Sequence, residues 1–218
     1  MKFLILAISL IIVNSGRLTA DIYVESLCPY CMMFIKDSLY TAITTPNIEQ
    51  MVHIRLIPYG NTKRKIVDGK WVFTCQHGEA ECYGDLIELC AQDSIVKALG
   101  AVAAEIPKAG VVHCIENYIQ KPYTNNSFVQ AALHCQQYYP YDANDVINCA
   151  SNSYGELLHL IAADETDNLV PKHKGVPWAV ANKQFTEETG DEIINNLLRW
   201  ACQNYDGEKI EACYTQQE

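Results

Sequence analysis

The sequence is short of positive charge. Its 218 residues carry 16 lysines and arginines against 26 acidic residues, a formal charge of −10 at neutral pH, with no basic run. Such a chain does not track a phosphate backbone or settle on an anionic bilayer, so nucleic acid and membrane are set aside as partners. Beyond its first residues it also lacks an apolar run long and clean enough to cross a bilayer. Gly100–Val112 comes nearest and is broken by Glu105, Pro107 and Lys108. There is no internal repeat and no low-complexity tract. A single Cys-x-x-Cys stands without a second one and without His-x-x-x-His, which leaves a zinc site without its other half.

What is present begins with a leader. Lys2 supplies a positive start, Phe3–Val13 is almost unbroken apolar sequence, and Asn14, Ser15, Gly16, Thr19 and Ala20 are small or polar. That is the pattern of an export signal over residues 1–20, leaving 21–218 as the folded domain. Ten cysteines in an exported chain point to an oxidising compartment. Cys28 and Cys31 form the Cys-x-x-Cys. The other eight, Cys75, Cys82, Cys90, Cys114, Cys135, Cys149, Cys202 and Cys213, are an even number suited to four structural disulfides. Spacing does not settle their connectivity, and Cys202 with Cys213 is the one local pairing it offers.

Along the chain, Ile22 and Val24 alternate as in a strand that leads into Cys28-Pro29-Tyr30-Cys31. Pro29 suits the first position of a helix, where a missing N–H costs nothing. Met32, Ile35, Leu39 and Ile43 follow at helical spacing, and Met51–Ile57 alternates again. This strand–helix–strand order predicts a parallel pair with a right-handed crossover. Thr62–Trp71 is polar and basic, a loop or short hairpin around Asp68-Gly69. From about 75 to 163 the pattern is helical, over Glu81–Leu99, Gly100–Gln120, Ser127–Tyr138 and Asp142–Ile161, and holds six cysteines: a helical insertion stapled by disulfides. Strand character returns at Trp178–Ala181 with a short further strand at Phe185-Thr186, and Asp191–Cys202 closes the domain as an amphipathic helix.

The order predicts an α/β, thioredoxin-like fold with a disulfide-stapled helical insertion. Cys28 at a helix N-terminus is where a thiol pKa falls, so the pair reads as a reversible redox disulfide, with half a zinc site and a fixed staple as the alternatives. In such folds a cis-proline faces the pair, and the residue before it offers its backbone to an extended substrate. Val176-Pro177 is the candidate, with Trp178 lining the groove. Only about 5% of x-Pro bonds are cis, so this reading rests on the fold order.

The chain resembles the gamma-interferon-inducible lysosomal thiol reductase family. The resemblance is carried by Tyr23-Val-Glu25-Ser26-Leu27-Cys28-Pro29-x-Cys31, Leu56-Ile-Pro58-Tyr59-Gly60-Asn61, the signature Cys75-Gln76-His77-Gly78-x-x-Glu81-Cys82 closing at Cys90, Leu169-Val-Pro171-Lys-His173 and Val176-Pro177-Trp178. Two departures stand out: Asp85 replaces a usual Asn and is expected to loosen a hydrogen bond, and Asn182-Lys183 replaces Asn-Gly and is expected to alter a surface turn. The resemblance implies reduction of protein disulfides in a lysosomal or extracellular setting, with Cys28 attacking and Cys31 resolving. It implies no metal or nucleotide, and electrons from a small thiol such as free cysteine. A rival reading, from a different class, is a secreted immune or host-interaction binding protein with incidental reductase activity.

An acidic setting makes a physical demand. A thiol of ordinary pKa is only about one part in ten thousand ionised at pH ~4.5, so Cys28 must be depressed by several units. His77 reads as a histidine fixed between bridged cysteines and bonded to backbone, with a general base or pH sensor as the alternative. Asn125-Asn126-Ser127 is a sequon, placing a glycan on Asn125 in a surface loop.

Overall fold

The computed structural model describes residues 16–215. Most of the leader lies outside these residues. The first strand, β1 (Leu18–Val24), nevertheless opens three residues before the Asp21 boundary drawn above.

β1 is the centre of a three-stranded sheet. It pairs in parallel with β2 (Val52–Pro58), from Leu18 opposite Val52 to Val24 opposite Pro58. On its other edge it pairs antiparallel with β5 (Trp178–Ala181), from Ala20 opposite Ala181 to Tyr23 opposite Trp178. Ala20, Ile22 and Val24 are fully buried, as a central strand covered by helices requires.

The crossover from β1 to β2 is α1, residues 29–43, which runs from Pro29–Phe34 through a π-helical turn, Ile35–Leu39, to Tyr40–Ile43. Ile35 and Leu39 have no exposed surface, and each stabilises the fold by roughly 1.5–3 kcal/mol relative to an exposed side chain. The π turn also buries Ser38 against α7 (Glu187–Asn204), which leaves helical geometry at Asn196. There the Ser38 hydroxyl donates to the Ile193 carbonyl (3.0 Å) and accepts from the Leu197 N–H (2.8 Å), pairing two backbone groups freed by the break.

After β2 comes a separate two-stranded hairpin, β3 (Lys63–Val67) and β4 (Lys70–Thr74), turning at Asp68-Gly69. The helical part follows as α2 (Glu79–Leu99), α3 (Glu105–Tyr118), α4 (Asn125–Cys135), α5 (Ala143–Ala150) and α6 (Ser153–Asp167), and a last turn, α8 (Ala212–Thr215), ends the description. α2 is the hub, packed by α3, α4, α5 and α6, while α3 also rests on β2 and α1. Disulfides join Cys75 to Cys82, Cys90 to Cys149, Cys114 to Cys135 and Cys202 to Cys213.

Three expectations are corrected. The helix expected over Asp142–Ile161 is two, because the Asn152 side chain accepts the Tyr154 N–H and starts α6 afresh. The helical part therefore ends at Asp167, past the 163 expected. Phe185-Thr186 is not a strand: a lone bridge between Ala181 and Gln184 is all the pairing there, and the Phe185 ring stacks on Trp178 at 3.8 Å. The turn between them holds Asn182 and Lys183 both at positive φ, 50° and 63°, which is where the family's usual glycine would carry no Cβ penalty.

Candidate active site

Cys28 occupies the cap position of α1 and Pro29 its first turn. The two cysteines of the motif are free thiols, Cys28 5% exposed and Cys31 fully buried. Val176-Pro177 is a cis peptide, and the Cys28 thiol lies 3.6 Å from the Val176 carbonyl, to which it donates. Trp178 begins β5 beside them, half-buried, its ring taken up by Phe185.

The segment just before Cys28 is clasped by α2. The Ser26 hydroxyl donates to the Glu81 carbonyl (3.0 Å) and the Ser26 N–H donates to Asp85 Oδ1 (3.0 Å). Asp85, the departure from the usual Asn, thus accepts a hydrogen bond from the backbone just before the cysteine pair. It is fully buried, and burial, with Glu88 and Glu81 nearby, pushes its carboxyl well above the usual range. The contact leaves no slack: a Cβ on Gly84 would stand 2.4 Å from both Ser26 Oγ and the Phe128 ring.

Around this clasp lies a cluster that sequence reasoning missed. Glu25 is buried, and one of its carboxylate oxygens accepts the Asn61 N–H. Its other oxygen is 3.7 Å from His77 Nδ1, and that ring nitrogen also bonds the Glu81 carboxylate. His77 therefore has carboxylates as ring partners, not backbone. The available signal was a Glu four residues after His77, in the first turn of a helix capped at Gly78, where a carboxylate reaches back to the segment before the cap. Gly60, at φ +50°, brings its backbone so close to Glu25 that a Cβ would stand 2.4 Å from Glu25 Cγ.

The electrostatics separate the two sulfurs. Cys28 is lowered from 9.0 to about 6, chiefly because the Cys31 thiol donates to it. Burial works against this, and the N–H groups of Cys31 and Tyr30 and the charge of His77 add to it. Cys31 is pushed well up by burial and by its neighbour Cys28. Burial also lifts Glu25 to about 7, helped by Glu81 and Cys28 and opposed by the Asn61 N–H. For His77 burial pulls down, but the hydrogen bond and charge of Glu81 win and the net shift is upward. One thiol is thus held ready as a thiolate while the other keeps its proton in reserve. Thiol–disulfide oxidoreductases work by that division between two sulfurs, and the protein is one.

The family model for gamma interferon inducible lysosomal thiol reductase matches residues 19–139. The chain is 35% identical over 202 residues to the gamma-interferon-inducible lysosomal thiol reductase of Carassius auratus, covering 92% of this chain and 73% of that protein. To the protein of the same name from Mus musculus it is 30% identical, over 91% of this chain and 73% of the relative. The chain belongs to this family. Among solved structures, an oxidised DsbA1 mutant is similar at a TM-score of 0.43 and 12% identity, covering 85% of this chain and 84% of that chain.

The remaining expected residues lie away from the cysteine pair, with one exception. Cys75–Cys82 closes the loop that carries His77, and the Thr62 hydroxyl donates to Cys75 Sγ at 3.2 Å. The other three bridges staple helices and the C-terminal tail. Asn125 is exposed, but it is the first residue of α4 and not part of a loop. Glu25, His77 and Glu81 bring three metal-ligand side chains together, yet the His77 ring is already hydrogen-bonded to Glu81 and lies 3.7 Å from Glu25, and no metal role is assigned to them. Among the described residues no helix is long and apolar enough to cross a membrane.

Proposed function

We propose that the protein reduces disulfides in polypeptide substrates through Cys28 and Cys31, in an acidic lysosomal or extracellular setting, with a small thiol such as free cysteine as electron donor. The observation that carries this reading is that only Cys28 and Cys31 are free thiols while the other eight cysteines are bridged. The Cys28 thiolate attacks one sulfur of the substrate disulfide. That bond breaks, a mixed disulfide forms, and the departing substrate sulfur takes up a proton. Cys31 then loses its proton and attacks Cys28 Sγ, releasing the second substrate thiol and leaving a Cys28–Cys31 disulfide. Two molecules of the small thiol return two electrons to that bond and leave as their own disulfide. The Val176 backbone beside cis-Pro177 is the docking point for the substrate chain, and Trp178 walls it.

Magnitudes favour an acidic setting. At pH 5 a thiol lowered from 9.0 to about 6 is ionised to about one part in ten, near a thousandfold above the ordinary thiol. The weaker nucleophilicity of a less basic sulfur gives back about 20-fold of this, so the net gain is on the order of 50-fold. Glu25, at about 7, still holds its proton there and places no negative charge against the thiolate.

The test is reduction of a denatured, disulfide-intact protein by the purified chain with free cysteine. Activity at pH 5 should stay within about tenfold of that at pH 7, whereas an unperturbed dithiol loses about a hundredfold over the same two units. Cys28→Ser should abolish turnover and Cys31→Ser should trap a mixed disulfide. Full turnover by the Cys28→Ser protein would sink the assignment.

A further inference from the structure

In a chain of charge −10, one stretch of surface has the opposite character. Lys63, Lys65 and Lys70 on the β3–β4 hairpin are exposed, as are Lys172 and Lys174 in the loop between α6 and β5. Among the described residues none of these five lysines has an ion-pair partner. Arg64 differs from them, being anchored to Asp164 (2.6 Å) and Asp167 (3.0 Å) on α6. On the hairpin face that carries the lysines stand exposed aliphatic side chains, Val67 at 41% and Val72 at 39%, and Val170 in the adjoining loop is 89% exposed. The hairpin forms its own two-stranded sheet, so each strand keeps one edge unpaired. Basic residues alone would protect such an edge; the aliphatic side chains beside them are what a contact surface adds.

The position of the patch is more telling than its charge. The hairpin is rooted in the active site at both ends: Asn61, before β3, bonds Glu25, and Cys75, after β4, opens the loop that carries His77. The second half of the patch runs straight into Val176, the residue against Cys28. The halves adjoin, because Arg64 ties the hairpin to Asp164 and Asp167 at the end of α6, and the chain runs from there into the loop of Lys172 and Lys174. A five-residue strand reaches about 17 Å, which is the length of about five extended substrate residues.

We propose that this face grips the polypeptide flanking the substrate disulfide and selects for acidic flanks: Asp and Glu meet Lys63, Lys65, Lys70, Lys172 and Lys174, and aliphatic residues meet Val67, Val72 and Val170. The inference rests on the reductase reading and names its substrate class. Complementary charge at an exposed rim acts on capture more than on chemistry, so the selection lies in kcat/KM and fades as salt screens it.

The experiment uses three disulfide-cyclised peptides with one common ring and flanks rich in Asp and Glu, in Ser, or in Lys. They are reduced by the full chain at pH 6, in low salt and in 0.5 M salt, with an uncharged small disulfide as control. The acidic peptide should exceed the Lys-flanked one by about tenfold in kcat/KM at low salt, from several rim charges acting together. That order should collapse in high salt and reverse in the triple variant Lys65→Glu, Lys70→Glu, Lys172→Glu, while reduction of the uncharged disulfide stays unchanged. Equal rates for the three peptides, with the uncharged disulfide still reduced, would overturn the inference alone. Failure to reduce the uncharged disulfide would remove the reductase reading with it. Binding to phosphatidylserine vesicles that the triple variant loses, with no peptide preference, would reassign the patch to membranes and overturn the proposal.

Discussion

The sharpest test of the site is to remove the Cys31 thiol and follow Cys28. The Cys31 hydrogen bond is the largest force lowering Cys28 from 9.0 to about 6. A hydrogen bond to a charged acceptor is worth about 1.5–3 kcal/mol, or roughly one to two pKa units. Cys31→Ala should therefore move the Cys28 midpoint from about 6 to between about 7 and 8. At pH 5 this cuts the thiolate about 10- to 100-fold, and the more basic sulfur recovers about 3- to 8-fold, for a net loss of roughly 3- to 12-fold in rate. The assay is alkylation of Cys28 by iodoacetamide from pH 4 to 9, read by mass spectrometry on the reduced protein. Cys31 itself does not interfere at low pH, because it is held well above the ordinary range. Cys31→Ser retains a donor and should shift the midpoint less, and His77→Gln, which removes a smaller contribution, less than Cys31→Ala does. A midpoint unmoved in Cys31→Ala, in a protein of unchanged melting temperature, would show that the helix N–H groups and His77 hold the thiolate and that this ranking of forces is wrong.

Two further outcomes concern stability. Asp85, Glu88 and Glu116 are fully buried, and burial chiefly raises all three carboxyls; neighbouring carboxylates add to this for Asp85 and Glu88, whereas the hydrogen bond from Glu88 works against it for Glu116. The folded state then binds more protons than the unfolded one, so stability is greatest below the unfolded carboxylate pKa near 4 and falls as pH rises toward the native values. Each such group costs about 1.4 kcal/mol per pH unit in that window. Denaturant midpoints should fall from pH 5 to pH 8, and Glu88→Gln with Glu116→Gln should flatten the slope; a midpoint that rises over this range refutes the assignment. Ser38→Ala leaves the Ile193 carbonyl and the Leu197 N–H unpaired at the break in α7 and should cost about 1–3 kcal/mol per group. Urea unfolding measures this, and a loss below about 0.5 kcal/mol would mean that α7 re-forms across the break.

Much of the fold was legible because its signals are local. Alternation at Ile22 and Val24, Pro29 at a helix start and the second alternating run specify the parallel unit, and long periodic runs specify α2 and α3. The break before α6 was harder to read, since apolar spacing continues through it; the Ser151-Asn152-Ser153 run, rich in cap formers, was the clue. Phe185 looked strand-like because aromatic residues favour strands, but stacking on Trp178 uses the same apolar surface without any pairing. The site divides in the same way. Cys28 and Cys31 announce themselves by spacing, and Val176-Pro177 by its place in the fold order. Glu25 lies three residues before Cys28, but His77 and Glu81 come from a distant stretch and meet it only after folding, so nothing near the Cys-x-x-Cys marks them as its neighbours.

A reductase that depends on its own disulfides has to survive its own reductant. Each of the four bridges keeps one sulfur-bearing partner buried, Cys75, Cys90, Cys135 and Cys213 at 8, 1, 0 and 8% exposure. Thiol exchange needs an approach in line with the S–S bond, and burial closes that approach from one side. The bridge with most at stake is Cys75–Cys82, because opening it would free the loop that holds His77 near Cys28. The burial that protects each bridge thus separates the sulfurs that hold the fold from Cys28 and Cys31, the two left free.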